Sequence, residues 1–65
     1  MDTQKMGETL KRLRGKKTLE YVSKELNISK SSLSKYENGD RIPRDEAKKK
    51  LADYYGKSVQ YIFFK

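Results

Sequence analysis

Residues 18–38 read TLEYVSKELNISKSSLSKYEN, and the spacing inside this stretch decides the fold. Thr18 accepts backbone N–H bonds as an N-cap, and Glu20 falls in the first turn, where the helix dipole favours an anion. Val22 and Leu26 mark the inward face of a helix about two turns long. Asn27 follows directly. Asparagine enters the left-handed region more readily than most residues and ends a helix as glycine does. Ile28 is apolar, Ser29 is a second good N-cap, and another helix runs from Lys30 to about Asn38 with Leu33 and Tyr36 inward. Two short helices therefore meet at a tight turn spanning Leu26 to Ser29.

The second of these helices has an unusual outer face. At about 100° per residue from Leu33, Tyr36 and Glu37 lie within about 60° of it, while Ser31, Ser34, Lys35 and Asn38 lie between roughly 100° and 200°. Short hydroxyl and amide side chains with one cation make up that face, and Lys30 stands at its N-terminal edge. A helix that enters the major groove of DNA needs such a surface. Small side chains let the backbone approach, and hydroxyl, amide and ammonium groups bond base edges or phosphates. Asn38 is assigned to phosphate. A solvated surface helix shows a polar face too, so the face alone does not decide between the two.

Outward from this pair, the remaining chain divides into three more helices. Met6, Leu10 and Leu13 form one stripe over Thr3 to Arg14, and Gly15 breaks it. After the exit at Gly39 and Pro43, a fourth helix opens near Arg44 with Asp45 and Glu46 in its first turn. It carries Ala47, Leu51, Tyr54 and Tyr55 and ends at Gly56. Ser58 caps a final short helix containing Val59 and Ile62. No strand period, repeat or low-complexity tract appears. The expectation is an all-α, five-helix bundle forming one domain over residues 1–65. Its core is Leu10, Leu13, Val22, Leu26, Ile28, Leu33, Tyr36, Leu51, Tyr55, Val59 and Ile62.

Composition narrows the function. Sixty-five residues carry sixteen Lys and Arg against nine Asp and Glu, a net charge of +7. Such an excess attracts polyanions, chiefly nucleic acid. Neither cysteine nor histidine is present, so the usual zinc ligands and the usual nucleophile–base pairs are missing, and no Gly-rich phosphate loop occurs. No catalytic residue, metal or cofactor is assigned, and the chain is not read as an enzyme. With no membrane-length apolar run and no signal-peptide pattern, a cytoplasmic location is expected.

The run TLEYVSKELNISKSSLSKYENGDRIP resembles the helix-turn-helix of the lambda/Cro-type repressors, the XRE family. Upstream MGETLKRLRGKKT resembles that family's first helix, and downstream GKSVQYIF its last, so the likeness covers about nine-tenths of the chain and gives a five-helix lambda-repressor-like bundle. The most specific piece is SKYENGDRIP, where Glu, a Gly two residues on and then Pro form the family's exit from the recognition helix.

By position, the resemblance implies base contacts from Ser29, Lys30, Ser31 and Lys35, with Ser34 beside them. It implies that Thr18 and Leu19 open the supporting helix, which holds a phosphate. It pairs Arg12 with Glu37, bracing the recognition helix, and sets Arg41 and Arg44 beside the DNA backbone. Three departures stand out. Leu19 replaces the usual glutamine, which removes that side chain's phosphate contact. Ser23 replaces a small alanine at the close crossing of helices two and three, and its hydroxyl needs a partner. Asn27 replaces the turn glycine.

Two further features are read from the residues. Lys16 and Lys17 adjoin the phosphate-binding helix start and are assigned to phosphate, whereas Lys48, Lys49 and Lys50 point in three directions and are read as mainly solubilising. Five aromatics crowd the C-terminus: Tyr54, Tyr55, Tyr61, Phe63 and Phe64. Tyr55 is placed in the core, and the last three either fold back as a cap or are buried by a second subunit. A dimer reading two half-sites about 34 Å apart is favoured, with residues 57–65 as the dimerisation segment and Val59, Gln60, Tyr61 and Phe63 as its interface.

The expected function is thus a Cro-like repressor of phage or bacterial origin, a homodimer on a palindromic double-stranded DNA operator. No membrane or small-molecule partner is expected, and control is expected to come from concentration. An antitoxin or a restriction-system controller uses the same fold. A protein-interaction module that has lost DNA binding is the rival from another class.

Overall fold

The computed structural model describes residues 2–64; Met1 and Lys65, the outer limits of the expected domain and of the expected dimerisation segment, lie outside them. Five helices follow one another: α1 Thr3–Arg14, α2 Leu19–Leu26, α3 Lys30–Glu37, α4 Asp45–Tyr55 and α5 Val59–Phe63. Among the described residues there is no strand. Each boundary has a local cause. Asp2, Thr18, Ser29 and Ser58 each accept a backbone N–H from the first turn of the helix that follows, which satisfies one of that helix's orphan donors. Arg44 precedes α4 without a side-chain cap, and there Asp45 and Glu46 complement the dipole instead.

The turn between α2 and α3 is closed by one pair of residues. The Ser23 hydroxyl donates to the Ile28 carbonyl at 2.6 Å, and the Ile28 N–H donates back to the Ser23 carbonyl at 3.2 Å. Serine at this crossing thus has its partner, and the hydroxyl adds a bond that an alanine there would lack. Asn27 sits at φ 55°, ψ 40°, the only positive-φ residue among those described that is not glycine. It ends α2 in the left-handed conformation. The Leu26 carbonyl exposed by that ending accepts from Lys50 Nζ of α4 at 3.4 Å.

The core contains Met6, Leu10, Val22, Leu26, Leu33, Tyr36, Leu51, Ala52, Ile62 and Phe63. Leu13, Ile28, Tyr55 and Val59, expected inside, are half-buried and pack against it. Helix α1 lies across α3, α3 also contacts α2, and α4 contacts α2 and α5. Gly7 makes the α1–α3 crossing possible, because a Cβ there would collide with the Glu37 carbonyl. The buried glycine costs helix propensity and allows the last turn of α3 to rest against α1.

Two expectations need correcting here. Phe63, placed in a dimer interface, is 1% exposed. The short α5 turns Ile62 and Phe63 together into the monomer's own core, which supplies the burial that a partner was expected to provide. The α4 lysines are also less free than expected. Lys48 Nζ lies 5.8 Å and 5.0 Å from the ring centroids of Phe63 and Phe64 and 3.9 Å from Asp45 Oδ1. Lys50 caps α2. Of the three, Lys49 alone has no such contact among the described residues and remains simply exposed.

Candidate nucleic-acid interface

Helix α3 is anchored by Leu33 and Tyr36, 3% and 8% exposed, so the opposite side is turned to solvent. Lys30, Ser31, Lys35 and Asn38 are exposed there, and Ser34 is half-buried. The Asn38 amide donates to the Ser34 hydroxyl at 3.5 Å, a weak bond that leaves both groups able to bond elsewhere. Ser29 is more committed. Its hydroxyl accepts the Ser32 N–H at 3.0 Å and donates to the Ser32 hydroxyl at 2.9 Å. Its local task is therefore to cap α3.

The α1–α2 loop presents Lys16, Lys17 and Thr18, all exposed. The Thr18 hydroxyl caps α2 by accepting the Tyr21 N–H at 3.0 Å. Lys17 Nζ stands 3.4 Å from the Tyr54 hydroxyl and 4.8 Å from that ring's centroid, so α4 holds its ammonium in place by a cation–π contact. Leu19, at the position of the missing glutamine, is half-buried and packs against the core. Arg41 and Arg44 are exposed on the loop between α3 and α4. Among the described residues, no side-chain hydrogen bond or ion pair engages Lys16, Lys30, Lys35, Arg41 or Arg44.

The brace of the recognition helix comes from a different arginine than expected. Arg14, not Arg12, meets Glu37: Nε to Oε2 at 2.7 Å and a second guanidinium nitrogen to Oε1 at 3.0 Å. This is the bidentate geometry that suits arginine. The third nitrogen of Arg14 donates to the Lys17 carbonyl at 2.6 Å, so one side chain ties the end of α3 to the loop bearing Lys16 and Lys17. The pair is mostly enclosed, at 16% and 8% side-chain exposure. The hydrogen bond that Arg14 donates to Glu37 raises the Arg14 pKa above its ordinary value, with the carboxylate's charge adding to it while burial opposes.

Arg12 points elsewhere because two residues along a helix are about 200° apart. It donates to the Tyr61 hydroxyl of α5 at 3.0 Å. Sequence reasoning reads Arg14 only as the end of the first helix and misses its role. The available signal is its place in the last turn, one residue before the Gly15 cap, where the side chain can reach past the helix end.

Among the described residues, Lys30, Ser31, Ser34 and Lys35 of the expected base-contact set lie on α3, and Ser29 is its N-cap. Lys16, Lys17 and Thr18 stand on the loop joined to that helix by Arg14, and Arg41 and Arg44 follow its C-terminal end. Val59, Gln60 and Tyr61 of the expected dimer surface lie on α5, half-buried, exposed and half-buried respectively. The Tyr61 ring also lies 5.2 Å from Lys57 Nζ. A family model described as Helix-turn-helix matches residues 10–62, which takes in all five helices except the first turns of α1 and the end of α5. No curated protein and no solved structure matches the chain.

Proposed function

Because this chain belongs to the helix-turn-helix family of lambda/Cro type and is a DNA-binding regulator of that kind, we propose that it is a Cro-like repressor, working as a homodimer on a palindromic operator. The observation that carries this reading is the outward face of α3, where Lys30, Ser31, Lys35 and Asn38 are exposed. In the proposed complex α3 enters the major groove, where Lys30, Ser31, Ser34 and Lys35 read base edges, with Ser29 at the helix entrance. Lys16, Lys17, Thr18, Asn38, Arg41 and Arg44 contact phosphates and set the register. Each phosphate neutralised adds about 0.9 to the salt slope of binding. Residues 57–65 supply the dimer contact through Val59, Gln60 and Tyr61, and bound protein represses by excluding polymerase.

Selection from random duplex DNA tests the reading directly. A palindrome with half-sites about one helical turn apart is expected; a single asymmetric site overturns the dimer, and no enrichment overturns the repressor. On the selected site, Lys35→Ala should weaken binding by about 1–3 kcal/mol if the ammonium reads a guanine edge. An equal loss on random DNA reassigns Lys35 to phosphate.

A further inference from the structure

Residues of α3, α4 and the loop between them line a groove open to solvent with a volume of about 620 Å³. This is within the range of ligand and anchor pockets. Ile28 from the α2–α3 turn, Tyr36 from α3 and Ala47 from α4 line it, with Ile42 of the connecting loop beside them. An exposed isoleucine alone means little. Ile42, 48% exposed, instead extends the apolar part of a concave surface whose remaining lining is charged.

The charge around this surface is one-sided. Arg41 and Arg44 line the groove on either side of Ile42 and Pro43, and neither has a side-chain hydrogen bond or ion pair among the described residues. Arg12 and Arg14, by contrast, are both engaged. Lys50 adds a third cation to the lining, against one carboxylate, Glu46. Arginine matches carboxylates in a planar, two-bond geometry. An apolar seat between unpaired guanidiniums therefore fits a ligand that carries an apolar group flanked by carboxylates. DNA offers an apolar group only as the thymine methyl, and its anions are phosphates rather than carboxylates. A second copy of this chain brings a net charge of +7 of its own and opposes the rim.

We propose that this groove binds an acidic segment of a partner protein, with one apolar side chain on Ile28, Tyr36 and Ala47 and its carboxylates on Arg41 and Arg44. The consequence rests on the operator-binding reading: the same two arginines are the candidate phosphate contacts, so the partner and the operator compete and the partner releases the DNA.

The test uses the full chain, isotope-labelled for NMR, and fluorescent acidic peptides about a dozen residues long that carry Leu or Phe anchors at helical spacing. Each peptide has a twin in which serine replaces the anchors. The anchored peptides should shift the amide signals of Ile28, Tyr36 and Ala47 and bind roughly tenfold or more tightly than their twins. Ile42→Asp, at an exposed position, should remove that advantage while leaving the circular dichroism spectrum unchanged. Equal binding by the twins reduces the effect to charge attraction and overturns the proposal, as does the absence of binding by every peptide. If Ile42→Asp instead halves the sedimenting mass, the groove is a self-association surface and the proposal fails. A labelled random-sequence duplex separates the two readings. Peptide binding without any duplex binding sinks the operator reading and keeps the groove, whereas displacement of duplex by anchored peptide supports both.

Discussion

The outer face of α3 and the inner face of α5 both belong to short helices, and they are committed in opposite ways. Helix α3 is secured by Leu33, Tyr36 and a serine cap, and keeps Lys30, Ser31 and Lys35 exposed. Helix α5, only five residues long, buries Ile62 and Phe63 to 2% and 1% exposure. An isolated helix of either length is unstable in water, so each exists only because the body holds it. The difference lies in how many side chains do the holding. In α5 much of the sequence is spent on packing; α3 delegates its support to neighbours, chiefly Gly7 and Arg14 of α1, and its outer residues stay exposed.

The largest test of this contrast is Phe63→Ala. Removing a fully buried phenylalanine should cost about 3–5 kcal/mol, a large part of the roughly 3–10 kcal/mol expected for a chain this size. Urea unfolding will read the loss. Unchanged monomer stability with a lower sedimenting mass would return Phe63 to an interface.

Arg14→Ala follows, at roughly 1–3 kcal/mol, because it leaves the mostly enclosed Glu37 carboxylate without its partner. Arg12→Ala, which loses only an exposed bond to Tyr61, should cost less than about 1 kcal/mol. Similar losses in thermal unfolding of the two variants would show that the brace is shared. Ser29→Ala should cost about 1 kcal/mol through loss of the α3 cap. A normal melting temperature combined with altered operator preference would make Ser29 a base reader first.

The smallest effect is a pH dependence at Tyr55. Burial, with the Glu37 charge next, pushes its pKa up to about 12, against about 10 in an unfolded chain. Folding therefore favours the neutral phenol. That contribution is complete below about pH 10 and is lost as pH rises towards 12, where the unfolded state ionises first. The half-exposed ring keeps the effect small. Tyr55→Phe should flatten that part of the stability profile; an unchanged slope would assign it to another group.

Much of the fold is legible in the sequence because its signals act within one helical turn. Thr18, Ser29 and Ser58 cap the helices they precede, Asn27 and Gly56 end theirs in the left-handed region, and the polar face of α3 follows from a 3.6-residue period. Phe63 is misplaced by sequence reasoning because an aromatic near the chain end carries no local sign of which surface will cover it. The groove has no sequence signal at all: Ile28, Tyr36, Ile42 and Ala47 come from four separate segments, a turn, α3, a loop and α4, and meet only once these have packed.

Residue order alone therefore determined five helices, the caps at Thr18, Ser29 and Ser58, an excess of positive charge and a small polar face on α3, since backbone donors and side-chain periods are settled between near neighbours. Tertiary structure decided that Glu37 takes Arg14 and leaves Arg12 to Tyr61, that Phe63 turns inward, and that Arg41 and Arg44 border a partly apolar groove. Those outcomes depend on how closely helices cross, and that distance is set at contacts such as Gly7 against Glu37, thirty residues apart in the chain.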